Sequence, residues 1–140
     1  MASLLKSTKY ICRVSSVLNR DSKLFGKQHL FDGCDETCWN SDQGTPQWIL
    51  IELEEAVSIS TFSFQFQGGF AGRDCEVEGG IDRASMQVIE AFYPEDNNTL
   101  QSFKLSRPLQ VKCIRFNFKS STDFFGRIIV YRLEITSVDT

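Results

Sequence analysis

Between residues 57 and 67 the chain alternates with a period of two. Phe62, Phe64 and Phe66 fall on one side, and Ser63, Gln65 and Gln67 on the other. That is the spacing of a strand with one buried face. The pattern returns over residues 47–53, where Ile49, Ile51 and Leu53 oppose Trp48, Leu50 and Glu52. It returns over 111–118, with Ile114, Phe116 and Phe118 against Arg115 and Asn117, and over 127–136, where Ile129, Tyr131, Leu133 and Ile135 align. Further strands are predicted over 11–18, 84–93 and 100–105. Polar or glycine-rich stretches separate them: 19–26, 30–46 with a helical turn at 35–38, a flexible loop over 68–80, a turn over 94–98 and another over 120–126. No long amphipathic helix intervenes, and parallel strands would need such crossovers. The pattern therefore predicts an all-β fold, an antiparallel β-sandwich of about eight strands.

Composition narrows this without changing it. The 140 residues predict one domain spanning 1–140, with residues 1–10 a flexible segment. Twelve phenylalanines supply bulk for a sandwich core. The net charge is −3, and the cations are scattered, with only a loose group over residues 20–27. Tight binding to nucleic acid needs clustered cations, so direct nucleic-acid binding is not expected. The N-terminal residues lack the apolar run of a secretory signal, and no stretch approaches the ~20 apolar residues of a membrane helix. Five cysteines, an odd number, argue for free thiols in a reducing compartment, so a soluble intracellular protein is expected.

The chemistry on offer is sparse. Asp32, Asp35, Glu36, Thr37 and Asp42 crowd oxygen atoms around Gly33, as a calcium loop does. The commoner use of such aspartates is to make Asx-turns and cap local amides. His29, Cys34 and Cys38 lack the second pair that zinc requires. Every nucleophilic triad would have to use His29, the single histidine, and no strained nucleophile turn is present. No catalytic residue is assigned, and the chain is expected not to be an enzyme.

Two loops look like a binding surface instead. Gln67-Gly-Gly-Phe-Ala-Gly-Arg73 and Ser121-Thr-Asp-Phe-Phe-Gly-Arg127 each offer aromatic rings and a cation, and loops on a rigid scaffold are where binding concentrates. The residues assigned to a partner are Phe70, Arg73, Phe124 and Arg127. Against this, adjacent aromatics beside a strand usually bury at least one ring, so Phe124 and Phe125 are expected to plug the end of the core.

Several segments carry a resemblance. Ser15-Ser16, Phe31-Asp32-Gly33, Thr37-Cys-Trp-Asn-Ser41, Gln47-Trp-Ile49, Phe125-Gly-Arg127 and Arg132-Leu-Glu-Ile135 resemble the discoidin, or factor V/VIII type C, family of galactose-binding-like jelly rolls. More narrowly, Glu36-Thr-Cys-Trp-Asn-Ser-Asp-Gln-Gly44, Gln65-Phe-Gln-Gly-Gly-Phe70 and Phe92-Tyr-Pro-Glu-Asp-Asn-Asn98 are similar to a vertebrate family of small proteins associated with the testicular orphan receptor four. That resemblance implies a nuclear repressor, also present in cytoplasm, which binds an orphan nuclear receptor and lowers its hold on DNA. The wider family implies a structural Ca²⁺ held by Asp32, Asp35, Thr37 and Glu134, with no other cofactor required. It also leaves two alternatives open, a carbohydrate-binding module and a metal-dependent hydrolase like the allantoin-degrading jelly rolls.

Overall fold

The computed structural model describes Leu5 and residues 8–137. Its seven strands are β1 (Tyr10–Val14), β2 (Trp39–Asn40), β3 (Gln47–Phe66), β4 (Cys75–Gly80), β5 (Gln87–Phe92), β6 (Leu100–Phe118) and β7 (Ile129–Ser137). All pairings are antiparallel. The expected flexible segment over 1–10 falls mostly outside the described residues. Within it, Tyr10 already opens β1 and Leu5 is buried in the core.

β3 and β6 are each one long strand where the pattern predicted two. Glu54-Glu55-Ala56 and Ser106-Arg107-Pro108 look like breaks because they are polar and exposed. The chain nevertheless stays extended through them, with the β3–β6 register shifting between Glu52 and Val57 and again between Ile59 and Thr61. Such bulges bend a strand without ending it. The pair therefore passes from one layer to the other. The first half of β3 and the second half of β6 join β1, β4 and β5 in one layer. The remaining halves join β7 and β2 in the second.

Four other expectations are corrected. The region 68–80 was expected as loop throughout, but it ends in β4, where Cys75, Val77 and Gly79 are buried and Glu76 and Glu78 turn outward. Gly79 concealed that strand. A Cβ there would meet Ile89 at 2.6 Å and Val111 at 2.8 Å, so the close approach of β4 to its neighbours requires glycine. The first strand stops at Val14, and Leu18–Arg20, Ser22–Phe25 and Lys27–Leu30 form short helical turns, the middle one (α1) capped by Asp21. The turn at 35–38 is not helical. In β7, a register shift beside Phe66 turns Val130 into the core and leaves Tyr131 half-exposed, which breaks the predicted alignment.

The core is an aromatic interleaving across the layers. Phe62, Phe64 and Phe66 of the second layer meet Phe92, Phe116 and Phe118 of the first. Ring centroids lie 4.9 Å apart for Phe62–Phe92, 5.0 Å for Phe64–Phe116 and 5.9 Å for Phe66–Phe118. Edge-to-face contacts of this kind add about 0.5–1.5 kcal/mol each beyond area burial. No helix among the described residues is long and apolar enough to cross a membrane.

Phe116 is fully buried and touches both Phe62 and Phe64. Phe116→Ala should therefore lower unfolding free energy by about 3–5 kcal/mol, read from the urea midpoint at an unchanged slope.

Candidate functional site

One end of the sandwich is organised by the segment that leads into β3. Gln47 is buried. Its side-chain carbonyl accepts hydrogen bonds from the Ser15 and Ser16 hydroxyls, and its amide donates to the backbone carbonyls of Asp42 (3.2 Å) and Gly44 (2.7 Å). The fully buried Trp39 donates its indole N–H to the Ser16 carbonyl at 2.9 Å. Ser41, also buried, accepts from the Ile128 amide at 2.8 Å. These bonds satisfy polar groups that burial would otherwise penalise. They also bring the 41–46 turn against the 120–127 loop. There Gly44 donates to the Phe125 carbonyl at 2.8 Å, and a Cβ on Gly126 would lie 2.9 Å from the Gly44 backbone.

The two loops assigned to a partner are zipped together. The Arg73 amide donates to the Ser120 carbonyl (2.9 Å), and the Thr122 amide to the Ala71 carbonyl (2.9 Å). The Thr122 hydroxyl accepts from the Ala71 amide at 3.0 Å. Asp123 turns inward and accepts from the Arg127 amide at 3.1 Å. The Arg127 guanidinium stacks over the Phe70 ring, 4.7 Å from its centroid, which suits a cation on an aromatic face. Asp96 and Asn98 pin the Gly69 and Gly68 amides, both at 2.7 Å. The sequence reading missed the supporting roles of Asp123, Thr122, Asp96 and Asn98. Only the Asp-Asn-Asn turn over 96–98 offered a signal, since such side chains bond nearby amides.

The expectation that Phe124 and Phe125 plug the core is overturned. Phe124 is 94% exposed and Phe125 57% exposed, their rings 5.2 Å apart edge to face. The cause is local. With Asp123 drawn inward and Gly126 pressed on Gly44, the two residues between them form the apex of the loop. Ile128 and Val130 fill the core behind it. Phe70, Arg73, Phe124 and Arg127 thus lie on one hydrogen-bonded loop pair. Of these, Arg73 and Phe124 are exposed, while Phe70 and Arg127 are partly covered and engage each other.

A family model described as the NedA-like, galactose-binding domain of the F5/F8 type C group matches residues 29–116. The chain belongs to this family. Among curated relatives, "Nuclear receptor 2C2-associated protein" of Danio rerio is 52% identical over 135 residues, covering 96% of each chain. The protein of the same name in Homo sapiens is 44% identical, again over 96% of each. Solved structures share the fold at low identity. An F5/8 type C domain from Bacteroides fragilis superposes with a TM-score of 0.80 at 16% identity, covering 96% of this chain and 94% of that one. A family 32 carbohydrate-binding module from Clostridium perfringens, in complex with galactose, does so at 0.79 and 15%, covering 96% and 97%.

The F5/F8 type C resemblance implied calcium at Asp32, Asp35, Thr37 and Glu134; Asp32 and Thr37 meet, but neither bonds to Asp35 or Glu134 among the described residues. Asp32 accepts from the Cys34 amide at 2.9 Å, as an Asx-turn does, and from the Thr37 hydroxyl. Asp35 pairs with Arg132 at 3.3 Å instead. Glu134 stands on β7 beside a cavity of about 370 Å³ that Tyr10, Leu30 and Phe31 also line. No three His, Cys, Asp or Glu side chains among the described residues gather as a metal cluster. A calcium cage needs six to eight oxygens around one point, and this arrangement does not fit it.

His29 ties the loop down in another way. Its Nε2 lies 2.9 Å from the Lys23 carbonyl and its Nδ1 3.1 Å from the Asp32 carboxylate. Both partners are acceptors, so both nitrogens donate only in the imidazolium form. The bond to the Lys23 carbonyl raises the His29 pKa. Desolvation opposes that rise, and Asp32 adds to it. Desolvation likewise works against Asp32's ionised form, but the Thr37, Cys34 and His29 contacts outweigh it and hold its pKa below the ordinary value. A raised histidine pKa in the folded state contributes stability that is full below the unfolded value, about 6.5, and is lost as pH rises through the folded value. Melting temperature should therefore fall as pH rises from about 6 to 8. His29→Gln should remove that step, which a thermal scan across pH would show.

Proposed function

We propose that this chain is a non-catalytic interaction module that binds an orphan nuclear receptor and suppresses the receptor's binding to its DNA element. The observation that carries the reading is the exposed Phe124–Phe125 apex on a rigid, hydrogen-bonded loop pair whose other loop exposes Arg73. Large aromatic rings and arginines are the side chains that anchor protein interfaces. The base beneath them is already ordered, so docking loses little conformational entropy. The names of the relatives supply the class of partner, and the sequence resemblance supplies the testicular orphan receptor four as the receptor, the nucleus as the compartment and repression as the outcome. On this reading the chain blocks DNA binding by covering the receptor and makes no nucleic-acid contact of its own. The only histidine commits both ring nitrogens to local acceptors, which leaves it poorly placed as a catalytic base.

A second reading is favoured by the same apex. An exposed ring such as Phe124 is also a platform for a sugar, and galactose-bound proteins share the fold. A glycan array with and without Ca²⁺ separates the two. Phe124-dependent glycan binding together with absent receptor binding would replace the proposal with this reading.

The triple variant Arg73→Ala, Phe124→Ala and Phe125→Ala should weaken capture of the purified receptor at least about tenfold. Its melting temperature should stay within a few degrees, since exposed side chains contribute little to stability. In a mobility-shift assay, wild-type protein should release the receptor from its DNA element, and the variant should not. Undiminished capture by a folded variant would remove the loop pair as the docking surface.

A further inference from the structure

A second surface shares no residue with these loops. Arg20, Lys23 and Lys27 are exposed and form no ion pair among the described residues. They lie on the helical turns that follow β1. Between this segment and β1–β3 runs a groove of about 410 Å³, lined by Val14, Val17 and Trp48 and by the cations Arg13 and Lys27, with no carboxylate among its lining residues. Arg13 lies 3.5 Å from Glu52, but Arg83 already holds that carboxylate, so the pairing leaves net positive charge beside the groove. Trp48 is only half-buried, and its indole N–H has no hydrogen-bond partner among the described residues. In a chain of net charge −3, this is a local reversal of sign.

The groove thus combines two cations and an unpaired N–H with the apolar side chains of Val14, Val17 and Trp48, and with Ser22, Gly26 and Gln28. Such a site fits a ligand that brings carboxylates flanking an apolar side chain. Three features weigh against a nucleic-acid strand: only two cations line the groove, the chain as a whole is acidic, and the lining offers a single aromatic ring on which a base could stack. We propose that this groove docks an acidic segment of a protein partner, with an apolar side chain against Trp48 and carboxylates meeting Lys27 and Arg13. The site is independent of the Phe124–Phe125 apex and holds whether or not that apex binds a receptor.

The test pans a random dodecapeptide display library on the full chain, in parallel with Lys27→Glu. Lys27 is exposed and unpaired, so the variant should fold, which a thermal melt checks. Enriched peptides should be rich in Asp and Glu around a Leu, Phe or Trp. A synthetic consensus peptide should lose at least about tenfold in affinity on Lys27→Glu, be unaffected by Phe124→Ala, and weaken with salt. Trp39 is fully buried, so acrylamide quenching reports chiefly on Trp48, and the peptide should protect it. Enrichment without acidic character, or binding indifferent to Lys27→Glu, would overturn the proposal. So would protection of Trp48 by a twelve-nucleotide oligonucleotide at lower concentration than the peptide requires.

Discussion

Everything in this domain depends on the pairing of β3 with β6. Each strand runs through both layers, and the bulges between Glu52 and Val57 and between Ile59 and Thr61 let the pair turn from one layer into the other. Because the same two strands supply both layers, the backbone pairing fixes the inward faces of Phe62, Phe64 and Phe66 and of Phe116 and Phe118 relative to each other. A slip of one residue would move every one of these rings to the solvent side. The aromatic core and the strand register therefore specify the same arrangement, and such agreement gives a sequence one well-defined fold.

The proposed binding surface inherits its rigidity from that pair. β3 ends at Phe66 and leads into the 67–74 loop, while β6 ends at Phe118 and leads into the 119–128 loop. The two loops leave the sheet as neighbours and continue to exchange backbone bonds, with Gly72 bridging Ser121. The Gln47 and Trp39 network clamps the other side of the 120–127 loop. Two adjacent phenylalanines in water are an unfavourable arrangement for a loop free to fold back. Here the backbone beneath them has no freedom to do so, and that constraint turns a sequence of ordinary core residues into a surface feature.

The oxygen-rich loop shows the same logic working against a simple motif reading. Asp32, Asp35 and Thr37 are close in sequence and could all serve a cation. In the fold, Asp32 is committed to Cys34, Thr37 and His29, and Asp35 reaches a different strand at Arg132. Spacing along the chain lists donors, but the partners that fill them come from elsewhere in the structure.

Local periodicity was enough to establish the all-β class, the buried faces of β3 and β6 and the glycine-rich loops, because a half-buried strand writes its pattern into every second residue. Segment resemblance was enough to indicate the galactose-binding-like family, and the relation to the nuclear-receptor-associated relatives extends along nearly the whole chain. Three features lay beyond local reading. β4 was hidden because Gly79 is chosen for its neighbours Ile89 and Val111 and carries no side chain to mark the alternation. The continuity of β3 and β6 was hidden because a bulge exposes polar residues just as a turn does. The fate of Phe124 and Phe125 depended on Asp123, Gly126 and Gly44 meeting across the fold. Whether a phenylalanine is buried depends on how much room the backbone leaves for its ring, and only the tertiary packing determines that.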